Sequence, residues 1–178
     1  KGELARSAGS SGTQTLARGI ALGAGGLWNV SGAGQLLVSG AVSGPWGIEK
    51  RGNGALALSG LNTYTGSTTV GAGTLILGGD APSGASGALG NATSSVLVGD
   101  TSGTAGAALL VNGPYTVGRN ISVRAGSSGQ ATLGGSNTSG TATFSGNVAL
   151  SKAAYLTAEA GGTVSFTGVI SGSYGLTK

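Results

Sequence analysis

Residues 56–78 read LALSGLNTYTGSTTVGAGTLILG, twenty-three positions without a charge. Leu56 and Leu58 alternate around Ala57, Thr68 and Val70 around Thr69, and Leu75 and Leu77 around Ile76, with glycine bounding each set. Alternation with a period of two marks half-buried strands, and the bounding glycines supply turns. The stretch therefore reads as strand, turn, strand rather than as a membrane helix. No apolar run in the chain reaches the ~18 uninterrupted residues that a transmembrane helix needs.

The same pattern extends outward as SSVLVG, AALLVNG, NISVRAG, QATLGG, TATFSG, NVALS, AYLTA, TVSFTG and GVISG. Strand signals about ten residues apart fit a sandwich, a barrel or a solenoid. Composition points the same way. Gly supplies 39 of 178 residues and charged residues only 8%. Gly lowers helix propensity throughout, while Val, Ile and Thr favour strands, so almost no helix is expected. A mean hydropathy of +0.24 separates the chain from disordered sequences, which carry more charge and fewer aliphatics. The glycines lack a three-residue period, which excludes collagen.

Internal echoes decide among the β architectures. Residues 18–50 align without gaps on residues 146–178 at an offset of 128, with identities that include Ala21 and Ala149, Gly40 and Gly168, Gly44 and Gly172, and Lys50 and Lys178. A second echo, AGSSGTQTL (8–16) on AGSSGQATL (125–133), runs at an offset of 117. The offsets differ by eleven residues, read as an insertion of GGSNTSGTATF-like sequence, about half a solenoid coil, in the later copy. Long-range repetition, inward positions filled by small aliphatics or Thr, and the scarcity of hairpin dipeptides, with Asn-Gly at Asn53-Gly54 and Asn112-Gly113 and no Asp-Gly, all favour stacked coils over hairpins. The expected fold is all-β: a right-handed parallel β-helix (β-solenoid) with three strands per coil, the hand following from the usual crossover rule. Roughly six to eight coils at ~4.8 Å would make a rod of about 30 to 40 Å.

On these residues the chain resembles a known repeat. GNGALALSGLNTYTGSTTVGAGTLILG (52–78) is similar to the passenger-associated transport repeat, also called the autotransporter-associated β-strand repeat. The matching positions are Gly54, Leu56, Leu58, Ser59, Gly60, Asn62, Thr63, Tyr64, Thr65, Gly66, Thr68, Val70, Gly73, Thr74 and Leu75, and Leu77 continues their inward alternation. GPWGIEK departs from the family pattern at Trp46 and Glu49. The expected organisation is one solenoid segment over 1–178, the transport repeat at 46–78, and homologous repeats at 18–50 and 146–178. The resemblance implies the secreted passenger of a bacterial type V autotransporter, at the cell surface or beyond it. It also implies a partner in cis, the outer-membrane translocator barrel, encoded outside this segment. In that family the repeat accompanies efficient export, and a coil that folds onto a coil already outside would bias transport outward.

Catalysis finds little to build on. The absence of His and Cys rules out Ser-His-Asp and Cys-His machinery and thiolate metal sites. The acidic residues are Glu3, Glu49, Asp80, Asp100 and Glu159, and only Asp80 and Asp100 are spaced to stack on one face as a carboxylate pair. Ser151 and Lys152, adjacent on a strand, would point to opposite faces and cannot form a dyad. GGDAPSGAS and VGDTSGTAG lack the calcium nonapeptide order. No cofactor is expected, and no enzyme.

Partner signals are equally sparse. The sequence pI of 9.8 rests on nine cations, Lys1, Arg6, Arg18, Lys50, Arg51, Arg119, Arg124, Lys152 and Lys178, of which only Lys50 and Arg51 are adjacent. Nucleic-acid binding needs clustered cations with interleaved aromatics and is not expected. Trp28, Trp46, Tyr64, Tyr115, Tyr155 and Tyr174 could form a platform for a sugar or a partner, but Leu27-Trp28 faces Tyr155-Leu156 and Trp46 faces Tyr174 in the echo, which reads as packing between coils. NVS, NAT, NIS and NTS match the glycosylation triplet, as Ser/Thr-rich sequence does by chance. KGELARSAGSS carries no apolar leader, so the chain reads as an internal segment of a longer protein. Two roles follow: a rigid stalk that aids secretion and presents an adhesin, or a self-associating adhesin or filament protomer. The second is motivated by joining GLTK to KGEL, which resembles the register of GIEKRGNGALA.

Overall fold

The computed structural model describes residues 2–7, 9 and 11–178; Lys1, Ala8 and Ser10, with the parts of the echoes that fall on them, lie outside the described residues. The chain winds into a parallel solenoid. The first coil holds β1 (Gly2–Arg6), β2 (Gln14–Leu16) and β3 (Ile20–Ala21), and the second holds β4 (Gly26–Val30), β5 (Gln35–Val38) and β6 (Val42–Ser43). The third and fourth carry β7 (Ile48–Arg51) with β8 (Ala55–Leu58) and β9 (Thr68–Val70) with β10 (Gly73–Leu77). Next come β11 (Val96–Val98), β12 (Ala107–Val111) and β13 (Thr116–Val117), then β14 (Ile121–Val123), β15 (Ala131–Gly135) and β16 (Thr141–Phe144). The last are β17 (Val148–Leu150), β18 (Ala154–Ala158) and β19 (Thr163–Phe166), followed by β20 (Ile170–Ser171) and β21 (Leu176–Thr177). No helix occurs among the described residues.

Two eight-stranded sheets run the length of the rod, in the orders β1-β4-β7-β9-β11-β14-β17-β20 and β2-β5-β8-β10-β12-β15-β18-β21. A third face is built from β3-β6 at one end and β13-β16-β19 at the other. Coils three and four have no named strand there. The chain still crosses the face: Thr63 N–H donates to Val42 O at 2.8 Å, and Ala81 bridges Val117 in parallel. The sequence pattern holds no alternating run over residues 59–67 or 78–95, and the structure places turns, bends and a long excursion in those intervals.

The core is a stack of aliphatic rows. Leu36, Leu56, Leu75, Leu109 and Leu133 lie in register on successive coils and are all buried. Val38, Leu58, Leu77 and Val111 form the neighbouring row. Each side chain therefore packs on a like one above and below, and burial of a Leu or Val contributes about 1.5–3 kcal/mol. Phe144 and Phe166 continue this on the third face with ring centroids 4.7 Å apart and planes 8° from parallel.

The two echoes occupy the fold differently. The 117-residue echo keeps its face: Leu16 of β2 and Leu133 of β15 belong to the same sheet. The 128-residue echo matches strand starts throughout, Gly26 with Ala154, Gln35 with Thr163 and Ile48 with Leu176, but rotates them by one face. Residues 134–144 explain the difference. They close β15, turn, and lay down β16, adding one face rather than the expected half coil, so everything after them arrives one face later.

Candidate functional site

The most elaborate side-chain arrangement in the rod lies where the stretch 56–78 crosses the third face. Asn62 is fully buried at a position that would otherwise take an aliphatic. Its Oδ1 accepts the N–H of Val42 at 2.8 Å from the coil before, and its Nδ2 donates to Ala88 O at 2.8 Å in the excursion after. Its backbone pairs antiparallel with Gly87, N–H to O at 3.1 and 3.2 Å, within an otherwise parallel architecture. One amide thus closes three layers of backbone that lack a regular ladder at this point. A buried polar group is tolerable only when satisfied, and this one is.

Tyr64 follows two residues later on the same inward side, also fully buried. Its hydroxyl lies 2.7 Å from Thr68 Oγ1 at the start of β9, and burial pushes its ionisation up to about 12, opposed by the Thr68 hydrogen bond and by Arg119. Its carbonyl accepts Asn91 N–H at 2.8 Å. Arg119 is buried with it and donates to Leu89 O and Ser94 O at 3.0 Å, so the excursion 78–95 is held down by Asn62, Tyr64 and Arg119 together. Burial lowers the affinity of Arg119 for its proton, and Tyr64 works in the opposite sense.

Around this nucleus the remaining repeat positions have distinct tasks. Leu56, Leu58, Thr68, Val70, Leu75 and Leu77 point inward and are buried. Thr63 and Thr65 are exposed, their N–H groups donating to Val42 O and Gly44 O at 2.8 and 3.0 Å. Gly54 N–H donates to Val30 O at 2.9 Å, and Thr74 N–H to Gly54 O at 3.2 Å. Gly60 and Gly66 sit where a Cβ would overlap the backbone of Gly40 and Gly47 in the preceding coil. Gly73 adopts φ +70°, a left-handed conformation that other residues rarely take.

A feature that sequence reasoning missed lies at the corner between the two long sheets. Lys50 is fully buried, its Nζ donating to Arg51 O, Gly52 O and Ala72 O at 2.9, 2.8 and 2.9 Å, and burial pulls its pKa down to about 8. Arg6 serves the same corner two coils earlier, donating to Ser31 O and Gly12 O at 2.9 Å, and Lys152 does so later, donating to Ser127 O at 2.8 Å. Arg51 pairs with Glu49 at 2.7 Å and also with Asp100. Cations scattered in the sequence are thus gathered at one corner, several of them holding turn carbonyls or carboxylates. The available signal was parity: Lys50 falls in the inward phase of Ile48.

The carboxylate pair is not assembled. Asp100 sits at that corner, where the Arg51 guanidinium holds its carboxyl below the usual range, whereas Asp80 lies beside the third face and accepts Thr116 N–H at 2.7 Å. Twenty residues are one coil only where the coils are short, and the excursion 78–95 lengthens this one. Ser151 is exposed while the Lys152 ammonium is engaged by backbone, so no dyad forms. No group of three or more His, Cys, Asp or Glu that could hold a metal occurs among the described residues. Of the echo's aromatics, Trp28, which aligns with Leu156, is buried at 2% exposure, Tyr155, which aligns with Leu27, is 41% exposed, and the aligned pair Trp46 and Tyr174 are both on the surface. A groove of about 720 Å³ beside the excursion is lined by Ser59, Leu61, Asp80, Ser83, Ser86 and Thr116, without an aromatic or a cation to grip a ligand.

Residues 48–80 match the family model of the passenger-associated-transport-repeat, against the 46–78 read from the sequence, and the match holds the Asn62–Tyr64–Thr68 nucleus and buried Lys50. No curated protein and no solved structure matches the chain.

Proposed function

We propose that the chain is a structural segment of a secreted autotransporter passenger. It coils right-handedly with three faces per turn, spaces a functional tip from the cell surface and assists its own export. The observation that supports this reading is the match at residues 48–80, which coincides with the polar nucleus tying three successive coils together. A nucleus of this kind gives an emerging chain a first stable template, onto which later coils add through nearest-neighbour contacts. The working residues are buried and none is arranged for bond chemistry, so the segment acts as a scaffold and not as an enzyme. Its partner in this reading is a translocator barrel in cis.

The test is surface delivery of the segment fused to a translocator barrel, read by protease accessibility on intact cells. Asn62→Leu with Tyr64→Ala is expected to leave passenger in the periplasm while the barrel inserts normally. Undiminished delivery of that variant would overturn the transport role. A second reading, self-association as an adhesin or filament protomer, is favoured by apolar side chains exposed along the rod, Trp46 at 48%, Leu61 at 68% and Tyr155 at 41%.

A further inference from the structure

No strand of the second long sheet carries a charge. In order, β2, β5, β8, β10, β12, β15, β18 and β21 read QTL, QLLV, ALAL, GTLIL, AALLV, ATLGG, AYLTA and LT. In the first long sheet, β1 and β7 alone bring Glu3, Arg6, Glu49, Lys50 and Arg51. Inward positions of the second sheet build the core, but its outward positions should meet water, and such rows are ordinarily polar. Here the central outward row runs Thr15, Leu37, Ala57, Ile76, Leu110 and Gly134 in register on successive coils. Leu37, Ile76 and Leu110 are half-buried by their neighbours, so the row is flat and apolar at its middle. The flanking row of Gln35, Ala55, Thr74, Ala108 and Thr132 is neutral, and Tyr155 extends it. From β5 to β15 these residues sit on strands paired on both sides, along the flank of the rod.

Area and charge select the occupant. From β2 to β15 the face measures about 29 Å along the rod and about 16 Å along the strands. Two such faces together bury on the order of 1,000 Å², enough for a specific but weak contact. A net charge of +4 makes two copies of the chain repel where their cations meet. Of the two long sheets, this one alone has no charge in its strands, and the third face is broken by the excursion 78–95. A strongly charged partner would find nothing to pair with here, whereas a second copy meets a surface as neutral and as flat as its own.

The order of side-chain sizes fixes the orientation. When the rods lie antiparallel about a two-fold axis between β8 and β10, Leu37 faces Leu110 of the second copy, Ala57 faces Ile76 and Thr15 faces Gly134. The hollow over Ala57 receives an Ile76 side chain, twice by symmetry. With the rods parallel, like residues face each other. Ile76 would then meet Ile76 while Ala57 meets Ala57, a ridge beside a void that close packing disfavours.

We infer that the outward face of the second long sheet is a self-association surface, on which a second copy of this chain lies side by side and antiparallel. Ile76 of each copy seats over Ala57 of the other. This rests on the self-association reading and names its surface, independently of the transport role.

Sedimentation velocity over a range of concentrations tests it. The unsubstituted chain should pass from monomer to dimer as concentration rises. Ile76→Lys puts a charge at the centre of the contact without touching the core, and should weaken association about tenfold or more while melting as the parent does. Thr74→Lys, which replaces a polar outward residue of the adjacent row, makes the same test if Ile76→Lys does not fold. Association as tight as the parent's in a folded variant would overturn the surface and leave self-association to another part of the rod. A parent that is monomeric at every concentration would overturn self-association itself, give the face to a different occupant, and leave the export test unaffected. Orientation is read from a charge pair. Leu37→Lys and Leu110→Glu should each weaken the dimer, and the double variant should associate more tightly than either, because antiparallel rods set the opposite charges face to face. Association no tighter than in the single variants would overturn the antiparallel arrangement, since parallel rods would set like charges against each other.

Discussion

The hydroxyl of Tyr64, on the third face, lies 2.7 Å from Oγ1 of Thr68, the first residue of β9 on the first long sheet. A single contact thus spans the corner across which coil three becomes coil four. It is also the only point in the motif where two side chains, rather than a side chain and backbone, are hydrogen-bonded inside the core.

Replacing Tyr64 by Phe removes that bond while preserving the ring, at an expected cost of about 1 kcal/mol near neutral pH. The pH dependence is more diagnostic. Folding raises the Tyr64 pKa from 10.0 to about 12, so the native state keeps a proton that the unfolded chain loses, and stability falls as pH rises through this interval. Urea titrations between pH 9 and 12 should show this alkaline loss in the parent and a shallower one in Tyr64→Phe. Equal slopes would show that Tyr64 is not the titrating group.

Lys50 shifts in the opposite sense. Burial lowers its pKa from 10.5 to about 8, so in that window the unfolded chain binds more protons and stability rises with pH. The expected profile climbs from about pH 8 before Tyr64 turns it down. Lys50→Met should flatten the climbing limb while exposing three carbonyls to loss of their partner. A climb that survives in the variant would assign the effect elsewhere.

Asn62 allows a comparison of substitutions. Asn62→Leu leaves Val42 N–H and Ala88 O buried without partners and should cost about 3 kcal/mol. Asn62→Asp keeps the acceptor but loses the donor and buries a charge, so it should be the worse of the two at neutral pH and recover as the carboxyl protonates. If both variants melt with the parent, the bracket does not hold the excursion.

Leu58 and Leu75 lie in the two central rows, each fully buried. Asp at either place would put an unpaired carboxylate into a core with no room for water, and the expected result is a chain without a cooperative transition in circular dichroism. Unchanged melting would mean that the inward assignment is wrong.

Gly66 and Gly23 contrast two glycines of the same chain. A Cβ at Gly66 would overlap the backbone of Trp46 and Gly47, whereas nothing lies within 4 Å of one at Gly23. Gly66→Ala should therefore lose about 2 kcal/mol, as overpacking does, and Gly23→Ala should stay within about 0.5 kcal/mol of the parent. Equal effects in thermal melts would contradict the close approach of the coils.

The strands and their inward faces were legible because alternation and bounding glycines are local signals. Every run from SSVLVG to GVISG contains a strand, and Leu56, Leu58, Leu75 and Leu77 point as their alternation requires. β13 escaped because Thr116–Val117 offers only two residues between a Pro-Tyr turn and Gly118. The tasks of Asn62, Tyr64 and Arg119 were not legible. Their partners come from elsewhere in the stack, Val42 from the coil before and Ala88, Leu89 and Ser94 from the excursion, whose path depends on coil stacking rather than on local propensity. Lys50 carried a partial signal in its parity with Ile48, outweighed by the expectation that a lysine faces water. The separation of Asp80 from Asp100 was hidden because coil length varies.

Across all the strand pairings, partners lie between 19 residues apart, as for Leu58 and Leu77, and 34 apart, as for Leu77 and Val111. Closing a loop costs about 0.6 kcal/mol more for each doubling of its length, so the shortest and longest closures differ by only about 0.5 kcal/mol. No strand waits for a partner from the far end of the chain. The entropic toll of ordering the tenth coil of such a rod would equal that of the second, and lengthening the molecule would add folding steps without adding difficulty to any one of them.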